Sequence, residues 1–401
     1  MPTPITEQLA ALHFTGIAKE TTFNTPVTAT SWFPVTGNTL GVDPGLFFPP
    51  VMQAQRDAQI YALNGEMKLT GAIEFVLVPS AVPLIKAAVG TDQYQTGTLT
   101  GWTGTLASAA SAGATTVSIT ATGGTPAVND MVMIGSPTSK KSEVRKISGV
   151  TGTGPYTCTI EALTYAHASA EPASKLDTTK PYTHYLAVSN RLDSLTIEKS
   201  LVNQSLQFSG ARVGKLTIKD APGNNATSVT ADVTAAGVSV LATPSTPTFQ
   251  YDTPFVFAEA SINLGSQTGI GTVTDLQITL DNSVKPTYTL GAYGPSLVTP
   301  TQLKVNGTLK VVYQSLNDST YGYLAQTLPP TAKSSLAVTW AHAGTGQSVA
   351  VTLPHIRLSK HGVPVKLGDI LIEELGFEAA YDVTTASTIT WAVTSSQYLP
   401  F

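Results

Sequence analysis

The segment from Gly65 to Gly90 constrains the fold most, because its residue pattern changes from that of a strand to that of a helix. Apolar or small residues at positions 67, 69, 71, 73 and 75 alternate with mostly polar ones. This period of two is typical of a half-buried β-strand. Pro79 cannot donate a hydrogen bond to a sheet, so the strand is predicted to end shortly before it.

A short helix is predicted directly after this strand. Ser80 can cap its start, and Pro83 falls within the first turn, where a missing N–H costs little. Apolar residues at positions 81, 84, 85 and 88 recur at helical spacing, and Gly90 supplies a C-terminal stop. The segment therefore predicts one strand and one helix joined by a proline turn.

The rest of the chain is patterned mainly as antiparallel strands, each with one buried face. Clean alternation of apolar and polar residues occurs in the stretches 195–201, 276–280 and 303–313. A weaker second helix is predicted from Asp318 to Thr327, where apolar residues cluster at helical spacing. The fold class that follows is mainly β.

Composition narrows the functional class. With 42% hydrophobic residues the chain of 401 residues can fill large cores, whereas 12% charged residues is about half the usual share. The net charge of −4 disfavours a protein that binds nucleic acid through a basic field.

The single cysteine, Cys158, permits no intrachain disulfide, and its alternation with threonines predicts a buried small hydrophobe. Charged residues and prolines interrupt the apolar stretch 72–90, which disfavours a membrane span.

A change in amino-acid composition along the chain predicts two domains, one inserted into the other. Residues 96–179 are rich in Gly, Ser, Thr and Ala, with candidate strands at 116–120, 131–135, 143–148 and 156–161 that suggest a small β-sandwich or barrel. Residues 1–95 and 180–401 are expected to form the discontinuous host domain. Its first 60 residues are interpreted as an extended arm followed by a long loop or hairpin, which we expect to dock on a neighbouring subunit.

The sequence offers no convincing chemistry. The six histidines show no metal-binding spacing, and no nucleophile elbow or phosphate loop occurs. Glu373 and Glu374 are adjacent, so on a strand they would point to opposite faces, which is poor geometry for a catalytic pair. We therefore expect no catalytic, cofactor-binding or metal-binding residues, and no enzymatic activity.

Several motifs, taken in order along the chain, resemble one known family. The opening GIAKETTFNTPVTATSWFPVT, the unit GEMKLTGAIEFVLVPSAVPLIKAAVG, the pair SLTIEKSL and FSGARVGKLTI, the strand LQITLDNSVKPTYTLG, and the closing LPHIRLSKHGVPV and EELGFEAAYD are similar to segments of tail tube proteins (major tail proteins) of long-tailed bacteriophages. Asn24 stands where the family pattern usually has glycine. The resemblance covers most of residues 10–95 and 180–398; the stretch 96–179 has no place in the minimal pattern.

The resemblance implies an antiparallel β-sandwich or barrel with one flanking α-helix, assembled as stacked hexameric rings around a lumen. It also implies genome passage through the lumen without specific DNA binding, and tape measure, tail terminator and distal tail proteins as partners. The protein would belong to the virion tail, assembled in the host cytoplasm, with no membrane insertion by this chain. We expect the inserted domain to be an outward decoration, which would obstruct a contractile sheath and so favours a non-contractile, siphovirus tail.

Ten apolar residues of the arm, the helix and the end of the chain are taken as candidate assembly contacts. They are Phe23, Trp32, Phe33, Phe47, Phe48, Leu84, Ile85, Tyr398, Leu399 and Phe401. An alternative from another class is a virion receptor-binding or carbohydrate-binding β-rich adhesin. A row of exposed aromatic residues on the inserted domain would favour that alternative, and its aromatic residues are Trp102, Tyr156 and Tyr165.

Overall fold

The computed structural model describes residues 9–50, 61–265, 272–313, 334–365, 367 and 370–398. The predicted second helix at 318–327 lies outside the described residues, as do Leu399 and Phe401. Up to residue 96 the described elements are β1 (Thr15–Lys19), β2 (Ser31–Trp32), β3 (Val35–Asn38), β4 (Gly41–Asp43), β5 (Leu46–Phe47), β6 (Leu63–Asn64), β7 (Lys68–Val76), α1 (Val82–Val89) and β8 (Gly90–Thr96).

Twenty further strands follow within the described residues. A first group consists of β9 (Leu99–Leu106), β10 (Thr116–Thr122), β11 (Met131–Ile134), β12 (Glu143–Thr151), β13 (Tyr156–Ile160) and β14 (Pro172–Leu176). The remainder are β15 (Tyr182–Val188), β16 (Leu195–Ser200), β17 (Ser205–Asp220), β18 (Ser228–Thr234), β19 (Gly237–Leu241), β20 (Ala260–Leu264), β21 (Val273–Asp281), β22 (Lys285–Thr287), β23 (Leu297–Thr299), β24 (Lys304–Val312), β25 (Ser334–Ala341), β26 (Ser348–Gly362), β27 (Ile372–Ala379) and β28 (Thr390–Ser395). Short 3-10 turns occur at Ala10–Leu12, Pro79–Ala81, Pro137–Ser139 and Phe257–Glu259.

Eighteen of the strands outside the first group build three connected antiparallel sheets, while β5–β6 and β22–β23 form two separate hairpins. The central sheet runs in the order β7, β18, β17, β21, β24, β27, β26, with β3 and β4 on the free side of β7. The first half of β17 leaves it to join the side sheet, which consists of β2, β1, β16, β17 and β19. The first half of β26 joins the cover sheet, in the order β20, β25, β26, β28, β15, β8. Two long strands thus tie the whole sandwich together.

The central and cover sheets share one hydrophobic core, and α1 lies inside it. Inward residues of both sheets belong to one buried cluster, and α1 contacts β17 of the central sheet and β8 and β15 of the cover sheet. The molecule is therefore a mainly β antiparallel sandwich with a single α-helix among the described residues, as the sequence predicts.

The predicted strand-to-helix switch is confirmed, with one correction at the start of the helix. Leu69, Ile73 and Phe75 are buried on one face of β7. Ala81, and not Ser80, occupies the N-cap position, and no side-chain hydrogen bond caps it because the turn Pro79–Ala81 leads directly into α1. Gly90 ends the helix with φ of 146°, where a Cβ would lie 2.4 Å from the backbone nitrogen of Ser189. Only glycine fits both the conformation and the space.

The prediction of one buried face for each strand holds for β21 and β24 but is wrong for β16. Glu198 in β16 is fully buried, and its Oε1 accepts hydrogen bonds from Ser205 Oγ at 2.7 Å and from the Ser245 backbone N–H at 2.9 Å. Thr196 Oγ1 donates to Glu20 Oε1 at 2.9 Å. Segments that lie far away in sequence, at Glu20 and Ser245, therefore cover the second face of this strand and hydrogen-bond to polar residues there.

Strands β9 to β14 form a closed six-stranded barrel in the order β10, β13, β12, β11, β14, β9, which we call the small barrel. The four strands predicted in this region are present, and β9 and β14 complete the closure. The small barrel has a hydrophobic core of its own, which includes Trp102, Val132 and Cys158. Cys158 has no exposed surface, and burial, together with the charge of Asp130, raises the pKa of its thiol to about 11. It is a buried small hydrophobe, as predicted.

Candidate assembly surface

Exposed apolar side chains collect at one end of the central sheet, which we call the hairpin end. Here β7 and β24 begin and β21 and β27 finish, and the β5–β6 and β22–β23 hairpins lie beside the start of β7. The backbone N–H of Met67 donates to the carbonyl of Tyr293 at 2.8 Å, which joins the two hairpin regions. Eight large apolar residues in these regions are between 44% and 106% exposed, namely Leu46, Phe47, Phe48, Tyr61, Leu63, Leu290, Tyr293 and Leu297.

The opposite end of the central sheet, the loop end, carries a second apolar group. The connection from β26 to β27 exposes Val365 at 83%, Leu367 at 103% and Ile370 at 71%. Concentrations of exposed apolar surface on a soluble protein mark sites of protein contact. The two ends of the sheet carry different residues. A contact between the hairpin end of one copy and the loop end of the next would therefore be heterologous, and repeating it would extend an assembly in one direction.

Four of the candidate assembly contacts lie at the surface or partly at the surface. Phe47 and Phe48 belong to the hairpin end. Trp32 is half-buried in β2, an edge strand of the side sheet, and Phe23 is half-buried with the guanidinium of Arg212 5.5 Å from its ring centroid. These side chains have surface available for a neighbouring subunit.

Three other candidates are enclosed by their own chain. Phe33, Leu84 and Ile85 have no exposed surface, and all belong to the core of the sandwich. The ring of Phe33 packs edge-on against Phe75 with centroids 5.3 Å apart. In this conformation a side chain without exposed surface offers no area to a neighbouring subunit. The helix is an interior element of the sandwich.

Tyr398 lies against the small barrel of its own chain. Its ring packs against Tyr182 with centroids 6.3 Å apart, and its hydroxyl donates to Glu161 Oε1 at 2.9 Å. Burial, together with the hydrogen bond to Glu161, raises the pKa of Tyr398 to about 12, so the hydroxyl stays protonated and remains a donor.

A groove of 570 Å³ lies between β1, α1 and the turn before β16. Asp193 in this groove pairs with Lys86 and, at 3.0 Å, with Lys19. Burial opposes ionisation of Asp193, but the hydrogen bonds and charges of the two lysines outweigh it and lower the pKa of the carboxyl group. The cluster joins the helix to β1, and it carries two cations for one carboxylate.

The outward face of the central sheet carries charges of alternating sign. Asp232, Lys215, Asp281 and Lys304 lie opposite one another in register across β18, β17, β21 and β24. Directly opposed unlike charges stabilise a sheet modestly and neutralise one another locally. This row of described residues therefore forms no continuous basic track of the kind that holds DNA.

The titratable groups of the described residues form no candidate metal site. No group of three or more His, Cys, Asp or Glu side chains is placed to hold a metal ion in the described part of the chain. Glu373 is buried and Glu374 is half-exposed on the opposite face of β27, as their adjacency predicts. Across the same residues, no helix combines the length and apolarity that a membrane crossing requires.

Sequence reasoning missed both the β22–β23 region and the loop end. Leu290, Tyr293 and Leu297 stand among glycines and a proline, and Val365, Leu367 and Ile370 stand in a similar turn-rich stretch. Large apolar residues between turn-forming glycines and prolines could have indicated these two surfaces, because a loop has no core of its own in which to bury them.

Comparison with known families decides what kind of protein has this architecture. A family model described as phage tail tube protein matches residues 11–390. The chain belongs to that family. The tail tube protein is thus a structural component of the virion tail. No curated protein sequence is significantly similar to it.

Proposed function

We propose that this tail tube protein assembles as hexameric rings that stack into a tube, and that the tube conducts the phage genome into the host cell. The observation that carries the proposal is the presence of exposed apolar groups at both ends of the central sheet. Contacts between unlike ends of successive copies are heterologous, and a heterologous contact whose rotation does not close produces an open polymer, here a stack of rings.

The charge distribution supports passage of DNA without binding. The chain carries a net charge of −4, and the outward face of the central sheet alternates in sign. We propose a lumen that is neutral or net negative, which a strongly positive surface potential along the bore of an assembled tube would contradict.

The remaining partners are proposed from the family. A tape measure protein would occupy the lumen during assembly, and tail terminator and distal tail proteins would meet the two ends of the tube. The small barrel is proposed to face outward, which fits a non-contractile siphovirus tail and leaves no room for a closely packed sheath.

Variants of the hairpin end test the stacking proposal. Phe47→Asp places a charge on a side chain that is 47% exposed, so the subunit should fold while stacking is lost. The matched control is Tyr251→Asp, since Tyr251 is 94% exposed and lies in neither apolar group. By negative-stain microscopy and sedimentation we expect tubes from the unmodified protein and the control. The concentration needed for tubes should rise at least about tenfold for Phe47→Asp, which corresponds to about 1.4 kcal/mol per contact.

Isolated trimers without a central hole would contradict the tube and favour the adhesin. The small barrel gives that alternative little support, because Trp102 is buried with its Nε1–H donating to Asp130 at 2.9 Å. Tyr156 and Tyr165 are half-buried, so its three aromatic residues form no exposed row.

A further inference from the structure

The small barrel is joined to the sandwich by more than the two chain segments that connect them. At the connection itself, the backbone N–H of Asp177 donates to the carbonyl of Thr98 at 2.8 Å, which closes the neck. A domain attached only through its two connecting segments would need no further contacts with the sandwich. The structure has two additional layers, one polar and one apolar.

The polar layer is centred on Gln95, which is 2% exposed. Its backbone N–H donates to the carbonyl of Ser142 at 2.8 Å, and Ser142 Oγ donates back to the carbonyl of Gln95 at 2.6 Å. Its side-chain Oε1 accepts from the backbone N–H of Val144 at 3.0 Å. One residue of the cover sheet is therefore hydrogen-bonded to the small barrel through both its backbone and its side chain.

The segment that follows β28 completes this polar layer. Gln95 Nε2 donates to the carbonyl of Tyr398 at 3.0 Å. His184 Nε2 donates to the carbonyl of Gln397 at 2.8 Å, and its Nδ1 lies 2.7 Å from Asp92 Oδ2. The two backbone carbonyls after β28 are thus fixed by side chains of β8 and β15, beside the neck.

The apolar layer continues from the same segment. Tyr398 packs on a buried cluster made by Met131, Met133, Val144, Leu176 and Tyr182. Four of these residues come from the small barrel, and Tyr182 begins β15 of the cover sheet. The hydroxyl of Tyr398 donates to Glu161, just beyond β13, which adds a polar contact with the small barrel.

We infer that Gln397 and Tyr398 form a clasp that holds the small barrel in one fixed orientation on the sandwich. The inference goes beyond tube assembly, because it concerns a single subunit. A barrel clasped in this way moves with the sandwich as one body, so it presents the same surface on every copy. A repeated surface in register can make regular contacts, whereas a barrel on two flexible connections cannot.

Hydrogen exchange on the unassembled full-length chain tests the clasp. Tyr398→Ala removes the ring and the Glu161 contact, and Tyr398→Phe removes only the hydroxyl. The matched control is Tyr381→Ala, since Tyr381 is 59% exposed and lies outside the joint. The reporters are the amides of Gln95 and Val144, which are bonded across the joint, with Cys158 as the reporter of the barrel interior.

We expect exchange at Gln95 and Val144 to rise about tenfold or more in Tyr398→Ala and about threefold in Tyr398→Phe, with no change in the control. The Cys158 amide should keep its protection, which shows that the barrel stays folded while its attachment loosens. Exchange at both joint amides within twofold of the unmodified protein in Tyr398→Ala would overturn the inference. So would equal loosening in the Tyr381→Ala control. Neither outcome depends on whether tubes form.

Discussion

At the scale of single residues, chemically similar side chains serve different purposes. Leu84 and Phe47 are both large and apolar, and both were candidates for contact between subunits. The first is fully buried in the core of the sandwich, while the second is 47% exposed on the hairpin end. Removing each side chain should therefore affect different properties of the protein.

Leu84→Ala should lower the free energy of unfolding by about 2–5 kcal/mol, because it deletes buried groups and leaves a cavity between the two sheets. Phe47→Ala should change it by less than about 0.5 kcal/mol, because an exposed side chain contributes little to the fold. Urea denaturation of the unassembled subunit measures both values. Equal losses for the two variants would contradict the assignment of Leu84 to the core.

At the scale of elements, a buried ionic network holds the connection between β13 and β14 on the small barrel. Glu143 accepts hydrogen bonds from the backbone N–H groups of Thr164 and Tyr165 at 2.7 and 2.8 Å. His167 lies between two carboxylates, with Nε2 3.1 Å from Glu143 and Nδ1 2.7 Å from Glu171. Arg145 is also bonded to Glu143, so the network is charged, and all of it except the partly exposed Glu171 is almost fully enclosed.

The pKa values of this network predict a pH window for local stability. Burial lowers the pKa of His167, but the hydrogen bonds and charges of Glu143 and Glu171 outweigh it, so the pKa lies above 6.5. Its stabilisation is complete below pH 6.5 and is lost as the pH rises through the folded value. Burial raises the pKa of Glu143, but bonding to His167 and the charge of Arg145 outweigh it, so the pKa lies below 4.5. Its stabilisation is complete above pH 4.5 and is lost as the pH falls through the folded value.

Protection of the Thr164 and Tyr165 amides, corrected for intrinsic exchange, should therefore be greatest between pH 4.5 and pH 6.5. His167→Gln should remove the decline on the alkaline side, because the imidazole whose proton is lost there is no longer present. Hydrogen exchange measured from below pH 4.5 to above pH 6.5 provides the test, because both declines lie outside this window. An alkaline decline of unchanged size in His167→Gln would show that another group titrates.

At the scale of the whole molecule, two separate cores divide the chain. The core of the sandwich and the core of the small barrel share no residue, and the clasp region lies between them. The sequence texture at 96–179 predicts such a division, although the assignment of the small barrel as an outward decoration stays a prediction.

Replacing residues 99–176 by a short linker should leave the sandwich folded, since the neck joins Thr98 and Asp177 at 2.8 Å. If the small barrel faces outward, the shortened protein should still form tubes, with a smaller outer diameter and an unchanged lumen. Electron microscopy of the two tubes measures both diameters. A widened lumen with an unchanged outer diameter would place the small barrel inside the tube instead.

The sequence by itself determined the local elements and the family. The alternation in β7 and the helical spacing of α1 depend only on neighbours along the chain, so they could be read directly. The motifs with which the chain resembles tail tube proteins are likewise short and follow one another in order. The predicted N-cap of α1 is wrong because either a capping side chain or a proline turn can start a helix, and the sequence does not show which of the two does so here.

Only the tertiary structure decided which of these side chains are exposed. Leu84, Phe47 and Tyr398 looked alike in sequence, but one lies in the core, one at the hairpin end and one on the small barrel. Whether a side chain is buried depends on which distant segments pack against it. The loop at Ser245, for example, covers Glu198. The spacing of apolar residues along the chain therefore determines the type of element and the face that turns inward. Packing between distant segments determines which apolar surface stays exposed and available for assembly.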